Sequence, residues 1–308
     1  MRVTVTGGLG FIGSFVAEEL VRRDHTVTVI DRCIGNVVDE IDGATVHCHD
    51  VRRGHLHSPD VVVHCASPVG AVALLSNHES ITHEIVDVTN HVARECAATG
   101  VRLVNISSSE VYGFSGEYVE TDDLRVPDKH SARLEYAVGK IAGEHLLHGF
   151  EDLHFTNIRP FNVTGPRQTS AKGFVLPTFA EQAAAGDPLT VFGDGTQRRA
   201  FTSVYDIAHV ICDIVEADDF TGETYNVGCP MNETSVIDLA QRVIEITGSG
   251  SEIVLTDGKA VHGRNYEEAE GTVKIPNVGK LTRSGVQAPN QSLDELIELT
   301  IADQKVAA

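Results

Sequence analysis

The stretch T-G-G-L-G-F-I-G at residues 6–13 constrains this chain more than any other, because it follows an apolar run and leads straight into an amphipathic one. Glycines at this spacing fit a particular strand-to-helix turn. Gly7 permits the tight bend, Gly10 lets a pyrophosphate approach the backbone, and Gly13 lets the helix pack close to the sheet. The first helical N–H groups, around Phe11 and Ile12, and the helix dipole then favour phosphate charge. A glycine triplet can also be a tight β–α turn that holds nothing. Here a second strand, T-V-T-V-I-D, ends in Asp31, eighteen residues after Gly13. An acidic side chain there accepts hydrogen bonds from an adenosine ribose and repels a 2′-phosphate, which predicts NAD over NADP, with Arg32 as the reservation. Asp50 and Val51 after the third strand suit the adenine edge, although an Asp at a strand end is also an ordinary turn or cap residue.

Short β-branched runs at residues 3–6, 26–31, 44–48, 61–65, 101–107 and 154–159 alternate with amphipathic stretches at 11–23, 82–99 and 131–150. Strand, helix, strand in repetition predicts an α/β fold with a Rossmann-type doubly wound parallel sheet and ligands at the carboxyl ends of its strands. From about Gly165 the Gly/Pro punctuation becomes denser and the strand-like pieces shorter. The expected organisation is a dinucleotide-binding domain over residues 1–165 plus about 204–228. A smaller mixed α/β substrate-binding lobe would take about 166–203 and 229–308, ending in a helix at 292–303. Only ten residues, Asp50 to Pro59, separate the third strand region from the fourth, too few for the usual crossover helix.

Lys and Arg number 24 against 44 Asp and Glu, a formal charge of −20, which argues against a nucleic-acid partner because phosphate backbones are held by clustered cations. Only seven of the basic residues are Lys. Adaptation to high salt and an ordinary acidic protein with GC-rich codon bias both fit, since charge speaks to solubility rather than fold. The six cysteines are scattered without zinc spacing, so neither a zinc site nor a secreted disulfide scaffold is expected, and a core of this size needs no disulfide staple. No signal peptide is recognisable at the start, and the most apolar stretch, residues 61–75, is too short and broken to span a membrane. A soluble cytoplasmic protein is the expectation.

Two later segments carry chemistry. S-S-S-E-V-Y-G at residues 107–113 follows the fifth strand, so its side chains emerge at the carboxyl edge. Tyr136 and Lys140 lie four residues apart on one helix face. A nearby ammonium favours the phenolate, which makes Tyr136 a plausible base, although Y-x-x-x-K by itself is commonly a solvated helix pair.

Combined with the glycine-rich turn, these segments resemble the extended short-chain dehydrogenase/reductase superfamily over nearly the whole chain. H-C-A-S at 64–67 is similar to the strand that lines the cofactor there, with Cys65, Ala66 and Ser67, and Ser107 at the next strand end, in the cofactor set. Asn90 matches the Asn that holds the helix beside the active site. R-P-F-N-V-T-G-P-R at 159–167 and V-F-G-D-G-T-Q-R-R-A-F-T-S-V-Y-D-I-A at 191–208 resemble signatures of NDP-sugar epimerases, dehydratases and decarboxylases. The resemblance implies that Ser108 hydrogen-bonds the sugar 4-hydroxyl, that Tyr136 removes its proton, and that Lys140 orients the nicotinamide ribose. It places Ser109, Asn162 and Arg199 on the substrate, a nucleotide-diphosphate sugar. Arg199 suits a diphosphate entering an acidic protein, while Arg198 and Arg199 could also be a surface pair. The second diphosphate-binding cation has two candidates, Arg264 and Lys274, with Arg264 carried forward. The superfamily's four-helix dimer implies a homodimer through helices 82–99 and 131–150.

The implied first half-reaction moves hydride from sugar carbon 4 to tightly held NAD, leaving a 4-keto sugar. The expected outcome is 4-epimerisation of a UDP-sugar. Glu110 unsettles it, because Ser-Ser-Glu resembles the Thr-Ser-Glu of UDP-glucuronate decarboxylases and the Cys-Glu of 5,6-dehydratases. A 4,6-dehydratase would carry Asp where Ser109 stands. Glu110 could equally be hydrogen-bonded to backbone at the strand end. No basic residue near Tyr136 announces a glucuronate pocket, although Arg159 or Arg167 could serve. An NAD(P)-dependent carbonyl reductase is the further alternative; it would not need the G-D-G-T-Q-R-R segment.

Overall fold

A computed structural model describes the chain except residues 35–36, 69–79, 114–115, 127–131, 218, 263–271 and 308. The chain begins with β1 (Arg2–Thr6), α1 (Phe11–Arg22), β2 (Thr26–Asp31), β3 (Thr45–Cys48), β4 (Val61–His64), α2 (Ile81–Thr99) and β5 (Arg102–Ile106). It continues through β6 (Gly116–Tyr118), α3 (Ala132–Leu147), β7 (Phe155–Pro160), β8 (Val163–Thr164), α4 (Val175–Ala185), β9 (Leu189–Phe192), β10 (Arg198–Ala200) and β11 (Thr202–Ser203). After α5 (Val204–Glu216) and β12 (Glu223–Val227) come β13 (Glu233–Ser235), α6 (Val236–Thr247), β14 (Ile253–Thr256), α7 (Gly258–His262), β15 (Val273–Pro276), α8 (Gly279–Arg283) and α9 (Leu293–Ala307).

Seven strands form one parallel sheet in the order β12-β7-β5-β4-β1-β2-β3, the doubly wound arrangement that the alternation predicts. The strand order reverses between β1 and β4, so Thr6 pairs with His64 at the carboxyl edge where such sheets take ligands. One face packs on α1 and α5 through buried Phe15, Leu20, Ile207 and Ile211. The other packs on α2 and α3 through Val88, Val92, Cys96 and Leu147. Burial on both faces is why β4 reads V-V-V-H, with no polar alternation. The side chain of Ser203 accepts from the N–H of Tyr205 and starts α5, after which β12 joins β7 at the sheet edge.

A smaller mixed sheet, β13-β10-β15-β6, lies beyond, with β10 antiparallel to β13 and parallel to β15. Helices α4, α6 and α9 enclose a separate core containing Leu176, Phe179, Leu239 and Leu296. Two-stranded pairs, β8 with β11 and β9 with β14, complete the described strands. The short passage from Asp50 to Pro59 carries a single 3-10 turn, Val51–Arg53, in place of a crossover helix.

One pair of cysteines is joined, which the scattered spacing gave no reason to expect: Cys33 to Cys48, 15 residues apart. The parallel register of β2 and β3 sets Asp31 opposite Cys48 and brings Cys33 alongside. Closing a loop of that length stabilises a fold by about 2–4 kcal/mol. Reduction should lower the unfolding free energy by that amount in a urea titration, and Cys33→Ser should match it; an unchanged midpoint would refute the contribution.

Candidate active site

The turn between β1 and α1 has the predicted shape. Gly7 has φ 69°, and a Cβ added there would lie 2.7 Å from the backbone of Ala66. At Gly13 a Cβ would stand 2.2 Å from the carbonyl oxygen of Gly7. At Gly10 it would meet only that oxygen, at 3.2 Å, and otherwise face open space. Gly10 is the N-cap of α1 and supplies no side chain, so no capping group competes for the first-turn amides around Phe11 and Ile12. An uncapped helix start behind a cradle that a methyl group would fill is suited to a pyrophosphate. Asp31, at the end of β2, accepts from the N–H groups of Leu9 and Cys33 at 3.1 and 3.3 Å and is fixed at the mouth of this turn.

Arg32 forms an ion pair with Glu84 at 2.7 Å. Asp50 caps the 3-10 turn, and its carboxylate is occupied by Arg52, whose hydrogen bonds hold it down at about 2. Val51 is buried within that turn. Cys65 donates its N–H to the carbonyl of Thr6, Ala66 backs Gly7, and Ser67 Oγ donates to the carbonyl of Pro68. Asn90 accepts from Arg94 on its own helix.

Ser108, Tyr136 and Lys140 come together at the end of β5. Ser108 caps the 3-10 turn Ser109–Tyr112 by accepting from the N–H of Glu110, and its hydroxyl stands near enough to Tyr136 to favour the phenolate. Ser109 is buried within the turn. Lys140 donates to the carbonyl of Ile106 at 2.8 Å, and its Nζ lies 5.7 Å from the centre of the Tyr136 ring. The expectation that Lys140 depresses the phenol is not met. Burial dominates and pushes the Tyr136 hydroxyl up, with Glu110 adding to the effect and Ser108 opposing it. Burial also pulls Lys140 down to about 8, opposed by Cys65 and Glu144.

Basic residues, which the sequence did not announce beside Tyr136, surround Glu110. Arg133, one helical turn before Tyr136, donates Nε to Glu110 Oε2 at 2.6 Å and Nη2 to Oε1 at 3.0 Å. Lys274 of β15 is fully buried, with Nζ 3.0 Å from Glu110 Oε1. The neighbouring strand supplies Arg199, which pairs in register with Lys274 and is 7% exposed. Arg199 donates to the carbonyls of Arg198 and Thr272 and to Thr272 Oγ1. Burial alone would raise the Glu110 carboxyl, but Arg133 and Lys274 overcome it and hold it well below the usual range. Burial pulls Lys274 down to about 7 against the pull of Glu110, with Arg133 and Arg199 adding to the fall.

Arg159 and Arg167, the earlier candidates for a carboxylate pocket, are engaged elsewhere. Arg159 pairs with buried Glu144 at 2.6 Å, and Arg167 with Glu18 at 2.9 Å. Asn162, at φ 39°, donates Nδ2 to the carbonyl of Ala200 and ties β7 to β10. Arg264 lies outside the described residues, whereas Lys274, the other candidate cation, belongs to the Glu110 cluster. Helical spacing from Tyr136 could have found Arg133. Lys274 had no local signal, because only the pairing of β10 with β15 brings it in.

Comparison with known proteins bears on the family and the fold. The model of the NAD dependent epimerase/dehydratase family matches residues 3–228. The chain is 31% identical over 313 residues to a UDP-N-acetyl-alpha-D-glucosaminuronate decarboxylase of Bacillus cytotoxicus, covering 97% of this chain and 96% of that protein. It is 30% identical to UDP-glucuronic acid decarboxylase 5 of Arabidopsis thaliana, covering 83% and 78%. Among solved structures, UDP-glucuronic acid 4-epimerase from Bacillus cereus, in complex with UDP-glucuronic acid and NAD, superposes with a TM-score of 0.86 at 25% identity over 100% of both chains.

Proposed function

The chain belongs to the NAD dependent epimerase/dehydratase family, and from that premise we propose that it decarboxylates a UDP-linked uronic acid. The observation that carries this reading is the cluster of Arg133, Lys274 and Arg199 around one carboxylate, Glu110. Cations exceed carboxylates there, at the strand end that carries Ser108 and faces Tyr136 of α3, in a protein whose overall charge is strongly negative. A sugar bearing its own carboxylate besides a diphosphate needs such a place. The decarboxylases among the relatives support the same substrate class.

NAD, bound at the glycine-rich turn and Asp31, supplies the hydride acceptor for sugar carbon 4 and a cationic ring. Tyr136, as the phenolate that this cationic ring would favour against the effect of burial, takes the hydroxyl proton at that carbon, and Ser108 holds the same oxygen. Once carbon 4 is a ketone, the carboxylate on carbon 5 is β to it. The carbon–carboxylate bond can then break with its electron pair passing to the ketone oxygen, releasing carbon dioxide. Tyr136 and Ser108 stabilise the charge that develops on that oxygen, a proton delivered to carbon 5 replaces the lost carboxylate, and return of the hydride to carbon 4, with the proton held by Tyr136, would restore the 4-hydroxyl and the oxidised cofactor. Ser109 stands where a 4,6-dehydratase would carry the Asp that protonates the departing 6-hydroxyl, which disfavours that dehydration.

A second reading, 4-epimerisation, keeps the carboxylate and turns the keto sugar over before hydride returns. The likeness to the UDP-glucuronic acid 4-epimerase favours this reading, because the same cations suit an intact uronate. Purified protein incubated with UDP-glucuronate or UDP-N-acetylglucosaminuronate, without added cofactor, separates the outcomes by mass and NMR. Loss of carbon dioxide is expected. An unchanged mass with inverted carbon 4 assigns epimerase, loss of water assigns dehydratase, and net consumption of NADH in a parallel sample supplied with it assigns a reductase. Arg133→Met should lower kcat/KM for the uronate by about 10–100-fold, as expected for one lost charge-assisted contact. An equal loss on UDP-glucose binding would count against a carboxylate-specific role. The proposal includes a homodimer joined through α2 and α3, which the mass in solution tests.

A further inference from the structure

Behind the reacting groups lies a second set of contacts that the proposed chemistry leaves unused. Tyr136, Lys140 and Glu144 stand at successive four-residue steps along α3, on one face. Opposite them, three consecutive residues leave the end of β5. Lys140 donates to the carbonyl of Ile106 at 2.8 Å, Glu144 accepts from the hydroxyl of Ser107, and Tyr136 stands beside the hydroxyl of Ser108. Each step of the helix thus meets one step of the strand end, and two of the three are fastened by hydrogen bonds. Glu144 is 4% exposed and Arg159 5%. Arg159 grips the carboxylate with Nε at 3.0 Å and Nη2 at 2.6 Å. Its Nη1 donates to Tyr112 Oη at 2.7 Å, and that hydroxyl donates to Asn226 Oδ1 at 2.7 Å, which anchors the grip on β12 at the sheet edge.

We propose that Glu144, clamped by Arg159, is a positioning residue that seats α3 against the end of β5 and so fixes Lys140 and Tyr136 in register with Ser107 and Ser108. The inference rests on the reading of Tyr136 and Lys140 as working groups, not on which product forms. An ion pair this deeply buried is a poor source of stability compared with an apolar pair of the same shape, so its place behind Lys140 points to geometry and charge. The groups facing Lys140 are His64 and Cys65 from the end of β4, Tyr136 and Glu144 from its own helix, and the Ile106 carbonyl. Arg159 from β7 stands on the far side of Glu144. The negative charge of Glu144 opposes the burial that lowers Lys140. Removing it should therefore lower the ammonium further, and the Arg159 cation left behind acts in the same direction.

The chain has seven lysines, few enough to follow each by carbon-13 labelling. The Lys140 signal, assigned by its disappearance in Lys140→Met, would be titrated with NAD absent and present. Glu144→Gln should move its midpoint to lower pH by about one unit or more, and the shorter Glu144→Asp by roughly half a unit or less. The high-pH limb of UDP-glucuronate turnover should move down with it. If Glu144→Gln does not fold, Glu144→Asp decides by the direction of its shift. A Lys140 midpoint unmoved in the folded variants, with only a lower Tm, overturns the inference. A moved midpoint in a protein that leaves UDP-glucuronate untouched would retain it while removing the decarboxylase reading.

Discussion

Tyr136→Phe should keep its NAD and its fold while turning over UDP-uronate about 10²–10⁴-fold more slowly. The substitution removes one oxygen from a ring packed against Ile81 and Ile85 and leaves the ring itself in place. What disappears is the phenol beside Ser108 at the end of β5, the group proposed to accept the proton from the sugar 4-hydroxyl. Ser108 and Lys140 remain, so substrate should bind nearly as before and the loss should fall on kcat. A rapid-quench assay beside an NAD titration checks this. Activity above a tenth of the parent would remove Tyr136 from the reaction.

The second large effect separates two glycines only three residues apart. Gly13→Ala places a methyl group 2.2 Å from the carbonyl oxygen of Gly7 and 2.9 Å from Gly8 Cα, backbone against backbone with no side chain able to yield. Helix α1 must lift off the turn. A loss of about 3 kcal/mol, at the upper end for overpacking, should appear as a lower Tm together with weakened NAD binding. Gly10→Ala adds a methyl group that meets one oxygen at 3.2 Å and otherwise faces open space. Its Tm should change little while NAD binding falls at least tenfold, since the methyl group occupies the approach of the pyrophosphate. Calorimetry for both properties tests the pair. Equal effects of the two substitutions on Tm would mean that the turn does not discriminate structural from ligand-facing glycine.

The parts readable from sequence were those with local signals. The β1–α1 turn, the apolar runs of the parallel sheet and the Tyr136–Lys140 spacing are each written within a few residues, and the lack of room for a helix after Asp50 was a matter of counting. Asp50 shows the limit of that approach, because whether it faced a ligand or capped a turn depended on Arg52. The site's charge was hidden for a different reason. Glu110, Arg133, Arg199 and Lys274 come from a strand end, a helix start and two strands of the small sheet, and only the β10–β15 register joins the last two. The Cys33–Cys48 bond likewise needed the knowledge that β2 and β3 are neighbours.

The cation cluster, with Lys274 and Arg199 buried and Arg133 partly buried, lies in a chain of formal charge −20, and for the proposed substrate that arrangement sets how dissolved ions affect capture. At long range an anionic sugar nucleotide would meet a repelling surface; at short range, in the proposed mode, it would meet Arg133, Arg199 and Lys274. Salt shortens the reach of exposed charges to about 10 Å at 0.1 M but screens buried ones far less. Raising ionic strength therefore weakens the repulsion more than the attraction. Association should accelerate with added salt, the reverse of the usual behaviour of a site that attracts its anion through surface cations.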